Sequence, residues 1–77
     1  MRMLRAARFI AALRCTPAAE LVEAMSESAP TIERARPAWL DHEIRKLRSV
    51  PNRDRALELL ASTGVTAALH AMGKRLD

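Results

Sequence analysis

Four prolines and one glycine cut this chain into pieces no longer than a few turns of helix. They stand at Pro17, Pro30, Pro37, Pro51 and Gly64. Proline lacks the amide hydrogen that a helix interior needs and clashes with the turn before it, so each one marks a start or a stop. Glycine ends helices because it enters the left-handed region without a side-chain penalty. Between these marks the apolar residues recur at intervals of three and four. No segment keeps the period of two that a half-buried strand requires, so the pattern predicts helices and no sheet.

Five helices follow from the spacing. The first runs from about Met3 to Arg14, with Met3, Ala6, Ile10 and Leu13 on one face and Phe9 at its margin. The second opens at Thr16-Pro17, a capping residue followed by proline, and carries Ala18, Leu21, Val22, Met25 and Ala29 as its stripe until Pro30 stops it. Residues 31–36 read as a short helical turn or a linker. The third runs from Pro37 to about Ser49 with Leu40, Ile44 and Leu47 inward, and the fourth from Pro51 to about Thr63 with Ala56, Leu57, Leu59 and Leu60 over a wide arc. The fifth runs from Val65 to about Leu76 on Val65, Ala68, Leu69, Met72 and Leu76. The expected fold is all-α, a compact bundle of four or five short helices forming a single domain over residues 1–77. None of these helices is long enough to be stable alone, so packing must hold them.

Composition limits how good that packing can be. Of the 77 residues 49% are hydrophobic, but 15 are alanine and only two, Phe9 and Trp39, are aromatic. A short chain has much surface for its volume, and a core this poor in large side chains invites help from a partner subunit. A homodimer is therefore one expected partner. The one cysteine, Cys15, excludes an intrachain disulfide and reads as a small buried thiol in a reducing compartment. Cys15, His42 and His70 are too scattered for a metal set, so no metal and no cofactor is expected. No apolar run is long enough to span a membrane. Residues 1–13 are rich in arginine, free of acid and amphipathic, as transit peptides are, but the same helix reads well as part of the core, which is the expectation here.

The charges come in blocks. Arg2, Arg5, Arg8 and Arg14 are followed by Glu20, Glu23, Glu27 and Glu33, and then by a basic stretch holding Arg34, Arg36, Arg45, Lys46, Arg48, Arg53 and Arg55. The net charge of +4 is thus a sum of opposed patches, which suits a protein that docks on something. Catalysis has little to build on. Asp41-His42-Glu43 sets a histidine between two acids, but neighbours on a helix diverge by about 100°, and the expected setting is a solvated helix surface. There is no phosphate loop and no spacing that suggests a triad, so no catalytic residue is assigned and the chain is expected not to be an enzyme. Arginine favours phosphate because its planar fork donates two parallel hydrogen bonds, which keeps nucleic acid open as a partner. Leu60 to Thr66 is similar to the turn before a recognition helix, although the face that would follow (Thr66, Ala67, His70, Ala71, Lys74) is poor in side chains that read base edges. Trp39 lies about 100° from the apolar stripe of its helix, with His42, Glu43 and Lys46 as its neighbours at i+3, i+4 and i+7. It either completes the core beneath residues 31–37 or anchors a partner. The candidate docking residues are Trp39, His42, Arg45, Lys46, Arg48 and Arg53.

The stretch from Trp39 to Arg55, WLDHEIRKLRSVPNRDR, with Leu59-Leu60 and Gly64 after it, resembles small helical proteins encoded by bacteriophages and prophages. In those an acidic-aliphatic-arginine helix ends at an aliphatic-proline step and an arginine-rich helix follows. The resemblance covers residues 39–76. It implies a phage setting, in which such proteins include inhibitors of host defence, anti-CRISPR proteins among them, and small regulators. The expectation is a non-enzymatic protein that docks on and blocks a host protein or nucleoprotein complex in the bacterial cytoplasm. The alternative is a basic DNA- or RNA-binding regulator with a helix-turn-helix-like C-terminal half.

Overall fold

The computed structural model describes residues 2–76. Met1 and Asp77 lie outside them. The elements are α1 (Arg2–Leu13), α2 (Ala19–Ser28), a 3-10 helix (Ala29–Arg34), α3 (Pro37–Arg48), α4 (Arg53–Ser62) and α5 (Val65–Ala71). The chain is all-α, with no strand among the described residues. Its radius of gyration is 11.2 Å and its extents are 28 × 26 × 16 Å. The short axis leaves room for about two layers of helices at ordinary packing distances.

α1 packs chiefly on α4 and also on α3, while α5 packs on α4 and on the 3-10 helix. The core is drawn from every element: Leu4, Met25, Ile32, Leu40, Leu47, Leu60 and Leu69 are all buried. Residues 31–36, expected as a turn or linker, mostly belong to the 3-10 helix, and Ile32 within it is wholly buried. α4 buries Ala56, Leu59 and Leu60, as its wide apolar arc suggests.

α1 turns a different face inward from the one expected. Met3, Leu4, Ala7 and Ala11 are buried, whereas Leu13 is 70% exposed and Ala6 only half-buried. The physical reason is that the apolar arc of α1, from Leu13 and Ala6 round to Ala11 and Leu4, is wider than one packing face, so its own pattern does not say which part goes in. The arginines choose it, because Arg5 and Arg8 must reach α3. Cys15 is exposed, not buried, since α1 has ended before it.

The helix ends explain the other shifts. α1 closes with Arg14 N–H on Ala11 O (3.2 Å) and Cys15 N–H on Ile10 O (3.1 Å), with Arg14 left-handed at φ 54°. α5 closes in the same way, with Gly73 N–H on His70 O and Lys74 N–H on Leu69 O, and Gly73 at φ 78°. This paired arrangement satisfies the last carbonyls of a helix. It stops α5 at Ala71, before the expected end at Leu76, which is nonetheless buried. α2 starts at Ala19 with Ala18 as its cap, so Thr16-Pro17 is a connector and Ala18 is exposed. The chain needs those extended residues to travel from the turn at Arg14 to the start of α2.

α4 starts at Arg53, later than Pro51, because Asn52 is left-handed at φ 59°. Asparagine tolerates that region better than most residues. Asn52 Nδ2 also donates to Ala11 O at 3.0 Å, fixing the α3–α4 turn to the end of α1. Asn52→Ala should lose both advantages and cost about 2 kcal/mol. Asn52→Gly should lose only the hydrogen bond and cost about half as much. Urea unfolding of the two variants measures the split.

Candidate functional site

α3 is where the charged blocks meet. Leu40, Glu43, Ile44 and Leu47 are its buried residues, spaced at the three- and four-residue steps of one helical face. The opposite side holds Asp41, His42, Arg45 and Arg48, all exposed, with Trp39 and Lys46 half-buried along one edge. Five of the six candidate docking residues therefore share one helix surface or its margin. Arg53, the sixth, joins them from the start of α4, where its Nη1 donates to Arg48 O at 3.4 Å. A cation at that point also suits the negative end of the α3 dipole.

Glu43 overturns the expectation of a solvated Asp41-His42-Glu43 surface. The three side chains part company: Asp41 meets Lys74, His42 faces solvent and Glu43 enters the core. Glu43 is 1% exposed, with Oε1 3.2 Å from Arg5 Nη2 and Oε2 4.0 Å from Arg8 Nη1. A buried carboxylate is costly unless paired, and these arginines come from α1, nearly forty residues away in sequence. Arg5 also lies over the Trp39 ring, 5.8 Å from its centroid. Trp39 is thus a half-buried wall of the α1–α3 seam with a guanidinium on its face. The signal for Glu43 stands in the sequence: it occupies the one missing place in the i, i+3, i+4, i+7 series of Leu40, Ile44 and Leu47.

The other flank of α3 is covered by the segment that follows α5, which the sequence reading did not place there. Lys74 Nζ sits 2.7 Å from Asp41 Oδ1, and Arg48 Nη2 donates to Arg75 O at 3.1 Å. Leu76 tucks into the core beneath them. A cleft of about 400 Å³ results, lined by Asp41, Ile44, Arg45, Arg48, Lys74 and Arg75 among others. Its one acid, Asp41, is already engaged by Lys74. Among the described residues no group of three or more His, Cys, Asp or Glu side chains is placed to hold a metal ion. No described helix is long and apolar enough to cross a membrane.

Compared with family models, with curated proteins and with solved structures, the chain matches none.

The Glu43 cluster makes an asymmetric prediction. Glu43→Gln leaves two arginine heads that can turn to water, since Arg5 is 49% and Arg8 18% exposed, and should cost about 1–2 kcal/mol. Replacing Arg5 and Arg8 together with methionine strands a buried carboxylate and should cost about 3–5 kcal/mol. Chemical denaturation of both variants gives the comparison, and equal losses would show that Glu43 does not depend on those arginines.

Proposed function

We propose that this chain is a non-enzymatic interaction protein that docks, through the outer face of α3 and the adjoining residues 74–75, on an acidic surface of a larger protein or nucleoprotein complex. One observation carries the reading. The one acid on the outer face of α3, Asp41, is engaged by Lys74, while Glu43 lies on the buried face against Arg5 and Arg8. Arg45, Lys46, Arg48, Arg53 and Arg75 have no carboxylate partner among the described residues. Their charge is left for another molecule, rimmed on one side by Trp39, a residue type that often anchors interfaces. The resemblance of residues 39–76 to small phage and prophage proteins gives the proposal a concrete form: a phage-encoded inhibitor that covers a bacterial defence complex, acting in the host cytoplasm as anti-CRISPR proteins do.

A DNA- or RNA-binding regulator is the second reading, favoured by the clustering of Arg45, Arg48 and Arg75 at one cleft, which suits phosphate groups. The helix-turn-helix form of that reading gains little, because α5 shows solvent mainly Ala67, His70 and Ala71.

The test is a pull-down from bacterial lysate with and without nuclease, using the parent chain and an Arg45→Ala, Arg48→Ala, Arg53→Ala variant whose helical spectrum is first checked. Docking on a protein predicts a defined complex that survives nuclease and is lost with the variant. Recovery that vanishes with nuclease transfers the face to nucleic acid, and binding to a purified duplex should then weaken steeply with salt, with a shallower slope in the variant. Equal recovery by parent and variant sinks both readings.

A further inference from the structure

The outer side of α1 carries two large apolar side chains that the core does not take up. Phe9 and Leu13, one turn apart, are 53% and 70% exposed, and Ala12 beside them is exposed as well. Met3, Leu4, Ala7 and Ala11 are buried on the other side, so Phe9 and Leu13 stand on a face they share with Arg5, and the Arg8 guanidinium lies over the Phe9 ring, 5.3 Å from its centroid. Beside this strip lies a groove of about 370 Å³ between the end of α1, α2 and α4. Ile10, Pro17, Val22 and Leu59 give it an apolar lining, with Arg55 and Glu58 also on its wall. Ile10 lies one turn before Leu13, so the protruding side chain and the groove border each other on a single helix.

Charge is arranged in the same sense. Arg14, exposed, follows Leu13 directly, and α2, which supplies Val22 to the groove, exposes Glu20, Glu23 and Glu27. None of these four is in an ion pair among the described residues. We propose that a second copy of this chain docks here about a two-fold axis beside the end of α1. Each copy places its Leu13 in the other's groove and its Arg14 on the other's acidic α2. A two-fold contact must be self-complementary, and a knob adjoining its own groove lets the pair close without growing into a filament. The acidic face of α2 disfavours an anionic membrane as the occupant, because its glutamates would meet the headgroups. The surface shares no residue with the docking face of α3.

Sedimentation equilibrium at low salt, in reductant so that no Cys15 bridge contributes, tests the proposal. The parent chain should approach twice its 8.6 kDa mass as concentration rises. Leu13→Asp, at an exposed position, should keep the helical spectrum and weaken self-affinity about tenfold or more. Arg14→Glu alone and Glu20→Arg with Glu23→Arg should each weaken association, and mixing the two variants should restore it, since both contacts then pair opposite charges. A parent chain of single mass at high concentration, a Leu13→Asp variant that associates like the parent, or no recovery on mixing overturns the proposal. So does retention of a monomer on phosphatidylglycerol vesicles that Leu13→Asp abolishes, which would assign the strip to lipid.

Discussion

Glu43 gives up nearly all its hydration, and the arginines of α1 are what make that loss tolerable. A lone carboxylate at this depth would cost several kcal/mol or take up a proton. The requirement runs outward through the structure. It fixes which side of α1 faces α3, and through α1 it fixes which residues meet α4. It draws Arg5 across Trp39 and removes Glu43 from the electrostatics of the α3 surface. Part of the basic N-terminal block is therefore an internal counterion, and the positive surface of the molecule is built mainly from residues 45–55 and 74–75.

The α1–α4 contact rests on small residues. Ala7, Ala11 and Ala56 are wholly buried, and side chains of that size let two helix backbones come close. Close approach gives good packing but little apolar area per residue, and apolar area is what stabilises a core. The thin slab shape follows from the same choice. So does the exposure of Phe9 and Leu13 on α1, since a two-layer domain has nothing of its own to put there.

The punctuation by Pro30, Pro37, Pro51 and Gly64 made the number and order of helices readable in the sequence, and the stripes of α3 and α4 were equally plain. Two kinds of feature were not. The face of α1 was ambiguous because Met3, Leu4, Ala6, Ala7, Ile10, Ala11 and Leu13 spread over an arc wider than one packing face, and the pairing of Arg5 and Arg8 with Glu43 selects the part that is buried. Helix ends set by backbone geometry were misplaced at two points: α4 starts at Arg53 and not Pro51 because Asn52 adopts positive φ, and α5 stops at Ala71 and not Leu76 because the chain turns at Gly73. Of the candidate docking face, the charged residues on α3 were visible from charge and helical spacing. The contribution of Lys74 and Arg75 was not, because it depends on the chain turning back at Gly73 and running beside α3.

The bond from Asn52 to Ala11 joins residues 41 positions apart, and this separation has a consequence for the order of assembly. During synthesis α1 emerges well before the turn that holds its end and the helix that covers Ala7 and Ala11. For that interval it has neither the counterion for which its arginines are placed nor a surface on which to pack, and it is too short to persist as a helix unaided. α1 is thus made before the elements it packs on and is among the last to gain its final contacts, and its apolar residues spend that time accessible to chaperones and to other nascent chains.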